Sequence, residues 1–138
     1  MNQPPPPASR FLIIDDLASV RKQARDLLRK LNYQEVYDAE TVPAGLALAE
    51  AMHAAGTPID FILADWELPN YTGIDLLREV RSKEKFAALP LVIMTSVRST
   101  HNISSALEAG VSGFLVKPFN EALLLDQISR AWEKVTCE

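Results

Sequence analysis

The sequence predicts an α/β fold, a parallel sheet with helices on both faces, and three observations predict it. Short apolar runs recur: Phe11-Leu12-Ile13-Ile14, Ile59–Ala64, Leu91–Met94 and Gly113–Val116. Runs this short, without polar alternation, mark strands buried on both sides. Between them lie stretches with helical periodicity, and strands alternating with helices require a parallel sheet covered on both faces. Finally, each run stops at a residue with chemistry to offer: Asp15-Asp16, Asp65, Thr95-Ser96 and Lys117-Pro118. In an open α/β sheet, ligands bind at the carboxyl ends of the strands.

The elements follow in order. Residues 1–9, with prolines at positions 4 to 7, read as an extended or disordered tail that cannot pack a core. Residues 10–136 read as one folded domain. The first strand is Phe11–Ile14. The first helix carries a stripe of Leu17, Val20, Ala24, Leu27, Leu28 and Leu31, with Arg21, Lys22, Arg25, Arg29 and Lys30 on its other faces. That basic face is read as solvated, with partner docking as the sharper alternative. Val36-Tyr37 offers a short second strand. Pro43 to Ala55 is a helix with proline in its first turn, closed by Gly56-Thr57-Pro58. Ile59–Ala64 is the third strand, and Ile74–Arg81 a short helix after the turn Pro69-Asn70-Tyr71-Thr72-Gly73. Leu91–Met94 is the fourth strand, Thr100–Ala109 a helix stopped by Gly110, and Gly113–Val116 the fifth strand. Asn120 caps the last helix, which runs to about Lys134.

Composition narrows the function. At 138 residues, with 48% hydrophobic and 23% charged residues, the chain is an ordinary single globular domain. A net charge of −4, from 14 Lys+Arg against 18 Asp+Glu, argues against nucleic acid as a main partner. No segment approaches the roughly 20 apolar residues of a membrane span, and Met1–Arg10 has no hydrophobic signal core. Cys137 is the only cysteine, so an internal disulfide and a cysteine-based metal site are excluded. A cytoplasmic monomer is expected.

The strand ends supply the chemistry. Asp15 and Asp16 leave the first strand side by side, and Asp65 leaves a neighbouring one. Hard carboxylate oxygens suit Mg²⁺, which keeps several waters, so that two or three carboxylates plus a phosphoryl oxygen complete its shell. Without a cation, carboxylates this close repel one another. Lys117 can offset charge on a phosphoryl oxygen, and the Thr95 hydroxyl can donate to another. A carboxylate can itself accept a phosphoryl group as an acyl phosphate, with positioning and charge neutralisation doing most of the catalysis. Taken singly, an Asp-Asp pair is often only a turn and helix cap, and Lys-Pro means little. Taken jointly, the four coincidences in order point to one site.

These residues resemble the receiver domain of bacterial two-component response regulators, especially the single-domain chemotaxis type (CheY-like). The resemblance covers roughly Arg10 to Trp132. It rests on Leu12-Ile13-Ile14-Asp15-Asp16, Ala64-Asp65-Trp66-Glu67-Leu68-Pro69, Leu89-Pro90-Leu91-Val92-Ile93-Met94-Thr95 and Gly113-Phe114-Leu115-Val116-Lys117-Pro118-Phe119. It implies a flavodoxin-like three-layer sandwich, with a five-stranded parallel sheet in order 2-1-3-4-5 and five helices. It implies that Asp65 is the phospho-acceptor, served by a histidine kinase or histidine phosphotransfer protein. It implies that Asp16 and Asp65 bind Mg²⁺ directly, Asp15 through water, and that the Glu67 backbone carbonyl completes the set. It implies that Thr95 and Lys117 contact the phosphoryl group and that the Lys117-Pro118 bond is cis. By the same resemblance, phosphorylation is expected to draw Thr95 inward, Phe114 to turn into the vacated space, and the face of helix four, strand five and helix five to bind a target protein.

Three departures from the chemotaxis type stand out. Glu67 puts a carboxylate where that type has an amide. Val97 is apolar where that type is acidic. Phe114 lacks a tyrosine hydroxyl. The first two border the path of a hydrolytic water, so the phosphoryl lifetime is expected to differ. Other readings compete. The chain can be a motor-binding shuttle, a relay intermediate, a phosphate sink, or a receiver excised from a hybrid kinase or longer regulator, since the Pro-rich start and Cys137-Glu138 end allow excision. An enzyme reading is weaker: Asp65-Trp66-Glu67 faintly resembles the nucleophile loop of haloacid-dehalogenase-like phosphatases, but that loop follows the first strand. A flavodoxin-type electron carrier shares the fold, yet Asp15-Asp16-Leu17 would repel a flavin phosphate.

Overall fold

Every apolar run becomes a strand, and every amphipathic stretch between runs becomes a helix. The computed structural model of the chain describes residues 3–96 and 100–136; Val97, Cys137 and Glu138, singled out above, lie outside the described residues. In chain order the elements are β1 (Phe11–Ile14), α1 (Ala18–Lys30), β2 (Val36–Ala39), α2 (Val42–Ala54), β3 (Phe61–Asp65), α3 (Gly73–Ser82), β4 (Leu91–Thr95), α4 (Thr100–Glu108), β5 (Gly113–Val116) and α5 (Glu121–Thr136). A two-residue hairpin, Glu67–Leu68 against Tyr71–Thr72, lies between β3 and α3, and a 3-10 turn spans Glu84–Phe86. The five strands are parallel in the order β2-β1-β3-β4-β5, as expected.

The apolar runs conceal a period of two. Leu12 and Ile14 of β1, Ile62 and Ala64 of β3, and Leu91 and Ile93 of β4 join one core with α2, α3 and α4. Phe11 and Ile13, Phe61 and Leu63, and Val92 and Met94 join the other, with α1 and α5. Both faces are covered, so neither can alternate with polar residues. The strand order reverses between β1 and β3, and the crevice at such a switch point is where this architecture binds ligands.

Local chemistry fixes the helix ends. The Thr41 hydroxyl accepts from the Ala44 amide (3.2 Å) with proline in the first turn of α2. Thr72 and Asp75 form a reciprocal capping box at α3. Asn120 caps α5 through the Leu123 amide (2.9 Å). Gly56 (φ 83°) and Gly110 (φ 93°) supply the left-handed residues that stop α2 and α4.

Several boundaries differ from the sequence reading. β2 extends through Asp38 and Ala39, because pairing with Ile13 and Ile14 holds two residues of low strand propensity in place. β3 starts at Phe61, since Asp60 is occupied accepting the Arg10 amide (2.8 Å). Leu17, expected to begin the apolar stripe of α1, precedes the helix and is 55% exposed. The Pro69–Gly73 segment is more than a bare turn: Pro69-Asn70, with Asn70 at φ 63°, closes the Glu67–Thr72 hairpin, and Gly73 already opens α3. Residues 3–9 form no helix or strand, yet contacts tie them to the domain. Pro5 is buried and its carbonyl accepts from the Tyr33 hydroxyl (2.7 Å), while the Gln3 amide donates to Glu133 Oε2 (2.8 Å). Prolines lack amide donors; the Pro6 carbonyl accepts the Ser9 amide (3.0 Å), and that of Pro5 is available to a side chain of this kind.

Candidate functional site

The carboxyl ends of β1, β3, β4 and β5 meet above the switch point. Asp15 continues the β1 ladder, its amide donating to the Ala39 carbonyl (3.1 Å). Its side chain is fully buried, and every polar atom there is held. Oδ1 accepts from the Leu17 amide (2.9 Å), closing the turn that bends the chain into α1. Oδ2 accepts from Lys117 Nζ (3.0 Å). Asp16, next in the chain, is exposed.

Asp65 is the last residue of β3 and is half-buried. Its Oδ1 accepts from Lys117 Nζ (3.1 Å) and from the Trp66 amide (2.9 Å); Oδ2 accepts no bond from a described residue. Thr95 ends β4 and is buried, and its carbonyl accepts the Lys117 amide (2.8 Å), which sets where the lysine leaves the sheet. The Lys117-Pro118 peptide is cis. Gly73 opens α3 close beneath, donating its amide to the Trp66 carbonyl (2.6 Å); a Cβ there would come within 3.1 Å of Ile93 Cδ1.

The structure therefore gathers Asp15, Asp16, Asp65 and Lys117 at one spot. One carboxylate oxygen from each acid lies within 4.8 Å of the others. Glu67 is exposed in the hairpin, outside that cluster. Phe114 is half-buried against the core under α2, α3 and α4, paired in register with Ile93 two residues before Thr95.

Electrostatics follow from this crowding. Burial pushes the Asp65 carboxyl above its ordinary range; the Lys117 bond pulls it down, and the Asp15 charge adds to the rise. Burial pulls Lys117 down, but its bonds to Asp15 and Asp65 outweigh this and hold its ammonium above the usual range. The leading causes of the two rises differ, burial at Asp65 and two carboxylate acceptors at Lys117. Two carboxylates share a single ammonium, so the base has acceptors to spare and the acids are short of positive charge. A hard dication would correct that shortage, and three converging carboxylates are the donor set such an ion takes.

The sequence reading missed two supporting cations. Arg21 and Arg25, read as part of a solvated face, both reach Asp38 Oδ2 on β2 (3.1 Å each), and Arg21 Nη1 also donates to the Asp15 carbonyl (2.7 Å). The signal available in sequence was their i, i+4 spacing, but nothing there placed Asp38 opposite. Among the described residues Arg81 donates to neutral oxygens, including the carbonyls of Gly110 (2.9 Å) and Leu89 (2.6 Å), which joins α3 to the end of α4.

The fold and site define a doubly wound α/β protein with an acidic trio and a lysine at its switch point. The family model described as the response regulator receiver domain matches residues 11–129, and the chain belongs to that family. Within it the chain is CheY-like. It is 35% identical over 126 residues to the chemotaxis protein CheY of Pseudomonas aeruginosa, covering 91% of this chain and 98% of that one. Among solved structures, the chemotaxis protein CheY4 of Vibrio cholerae superposes with a TM-score of 0.81 at 28% identity, covering 90% of this chain and 98% of that one. The receiver domain of a signal transduction histidine kinase from Syntrophus aciditrophicus has a TM-score of 0.78 over 95% of each chain; at 20% identity it shows the shared fold alone. Among the described residues, no helix is long and apolar enough to cross a membrane.

Proposed function

We propose that the chain is a phosphorylatable receiver of a two-component or phosphorelay system, in which Asp65 accepts a phosphoryl group from the phosphohistidine of a kinase or phosphotransfer protein. The carrying observation is the convergence of Asp15, Asp16, Asp65 and Lys117 at the carboxyl edge of the sheet. Asp65 is oriented through Oδ1, and among the described residues none donates to Oδ2. A new O–P bond forms as the P–N bond of the phosphoimidazole breaks, its electron pair returning to the ring. Lys117 steadies the phosphoryl oxygens, and the Thr95 hydroxyl donates to one of them. Asp15, Asp16, Asp65 and the Glu67 carbonyl would hold Mg²⁺, which when bound offsets the negative charge of the carboxylates and the phosphoryl group.

Output follows from a shift between two arrangements. Thr95 and Phe114 occupy adjacent strands, so a hydroxyl drawn towards phosphate makes room for the ring, and the α4-β5-α5 face changes shape for a partner protein. The same Phe114 rotamer with and without a phosphoryl mimic would refute this. The similarity to chemotaxis proteins favours a cytoplasmic partner in motility, and the chain's own chemistry is confined to gaining and losing its phosphate.

The test is intact-mass measurement after treatment with a small acyl phosphate, with and without Mg²⁺ and in Asp65→Asn. A metal-dependent gain of one phosphate, absent in the variant, is expected. Mass unchanged under all conditions overturns the reading.

A further inference from the structure

The peptide that carries Asp16 is held from outside the acidic cluster. Its carbonyl, that of Asp15, accepts from Arg21 Nη1 at 2.7 Å. This is a charge-assisted bond to a side chain only 16% exposed. The guanidinium is fixed at its other edge by Nε bonding to Asp38 Oδ2 at 3.1 Å. Arg25, one helical turn further along α1, reaches the same oxygen at 3.1 Å. Asp38 sits on β2 in register with Ile13. Thus an edge-strand carboxylate grips two arginines of α1, and one of them clamps the plane between Asp15 and Asp16.

That plane sets the direction in which the Asp16 side chain leaves the backbone. Asp15 is immobilised at its amide and at both side-chain oxygens, whereas Asp16 is exposed and no hydrogen bond or ion pair to its side chain occurs among the described residues. Besides the side-chain torsions of Asp16, the rotation of the peptide between them is the backbone freedom that aims its Cα–Cβ bond, and Arg21 restrains it. We propose that Arg21 is a positioning residue for divalent-cation binding: held by Asp38, it fixes the Asp15–Asp16 peptide so that the Asp16 carboxylate faces Asp65. This rests on the functional reading above, which makes the acidic trio the cation site.

The sign of its effect separates positioning from charge. Arg21 is a cation beside a site for a dication, so by Coulomb's law alone its removal tightens binding. Loss of a group that orients ligands weakens metal affinity, typically 10–100-fold. Lysine at position 21 keeps the charge but lacks the planar fork that spans Asp38 and the Asp15 carbonyl together.

The experiment titrates Mg²⁺ into the full chain and follows tryptophan emission, since the Trp66 amide is bonded to Asp65. Wild type, Arg21→Gln and Arg21→Lys are compared, with melting in Mg²⁺-free buffer as the check on folding. Both variants are expected to bind Mg²⁺ about tenfold more weakly than wild type. Unchanged or tighter binding in either folded variant overturns the proposal, and if Arg21→Gln does not fold, Arg21→Lys decides alone. Wild type that binds no Mg²⁺ sinks the receiver reading itself, a failure distinct from variants that match a wild type that does bind.

Discussion

Lys117 and Asp65, 52 residues apart in the chain, meet with the ammonium nitrogen 3.1 Å from the carboxylate oxygen. The same ammonium holds Asp15 at 3.0 Å. One positive charge is thus divided between two acids that would also ligate a cation. Replacing Lys117 with alanine should therefore have opposite effects on two measurements. Phosphorylation by a small acyl phosphate should slow about 100-fold, because a donor to the phosphoryl oxygens is lost. Mg²⁺ should bind more tightly, because its competitor for Asp15 and Asp65 is gone. Initial rates by intact mass and a fluorescence titration check the two halves, and weaker Mg²⁺ binding in the variant would contradict the shared-charge account.

The raised carboxyl of Asp65 makes a prediction about pH. A carboxyl whose pKa is higher in the folded than in the unfolded chain costs stability when ionised. The cost is absent below the ordinary value near 3.8 and grows as pH rises through the raised value. In Mg²⁺-free buffer, Asp65→Asn should melt above wild type at pH 7, and the gap should close as pH falls below 4. Mg²⁺ should reverse the ranking at neutral pH, since it binds only the native carboxylate site. A variant gap independent of pH would argue for a packing effect instead.

Tyr33 anchors the proline-rich segment. Burial pushes its hydroxyl up to about 12, so the folded chain favours the neutral phenol. The stability this provides is complete below the ordinary value of 10 and is lost as pH rises from there through about 12. Tyr33→Phe should cost about 1 kcal/mol at pH 7 in urea unfolding, through loss of the bond to the Pro5 carbonyl. It should also flatten the stability decline above pH 10. A variant as stable as wild type would mean that the segment is not held through this bond.

Glu67 stands exposed two residues beyond Asp65, and in the proposed function it borders the path of a hydrolytic water. A carboxylate at that place alters the approach of a hydrolytic water, so Glu67→Asn should change the half-life of the phosphorylated form severalfold. The measurement is loss of the added mass with time after the donor is removed. Identical half-lives would leave the side chain without a role in turnover.

The chain's local patterns carry most of the fold and the centre of the site. Four apolar runs ending in Asp15-Asp16, Asp65, Thr95 and Lys117 are legible because a strand buried on both faces cannot tolerate polar residues until it emerges. Helix punctuation by Thr41, Asn120, Gly56 and Gly110 is equally local. What the sequence could not express is anything set by which strands become neighbours. Asp38 looks like a loop residue until β2 pairs with β1 and brings it opposite Arg21 and Arg25. Leu17 looks like core until the Asp15 side chain closes a turn ahead of the helix and leaves it in solvent. The tail looks unattached until Tyr33 arrives from the far end of α1. Burial patterns and caps act over a few residues and are written in the chain. The sharing of one ammonium by two acids, and of one carboxylate by two arginines, arises only when the sheet closes and distant charges must find partners away from water.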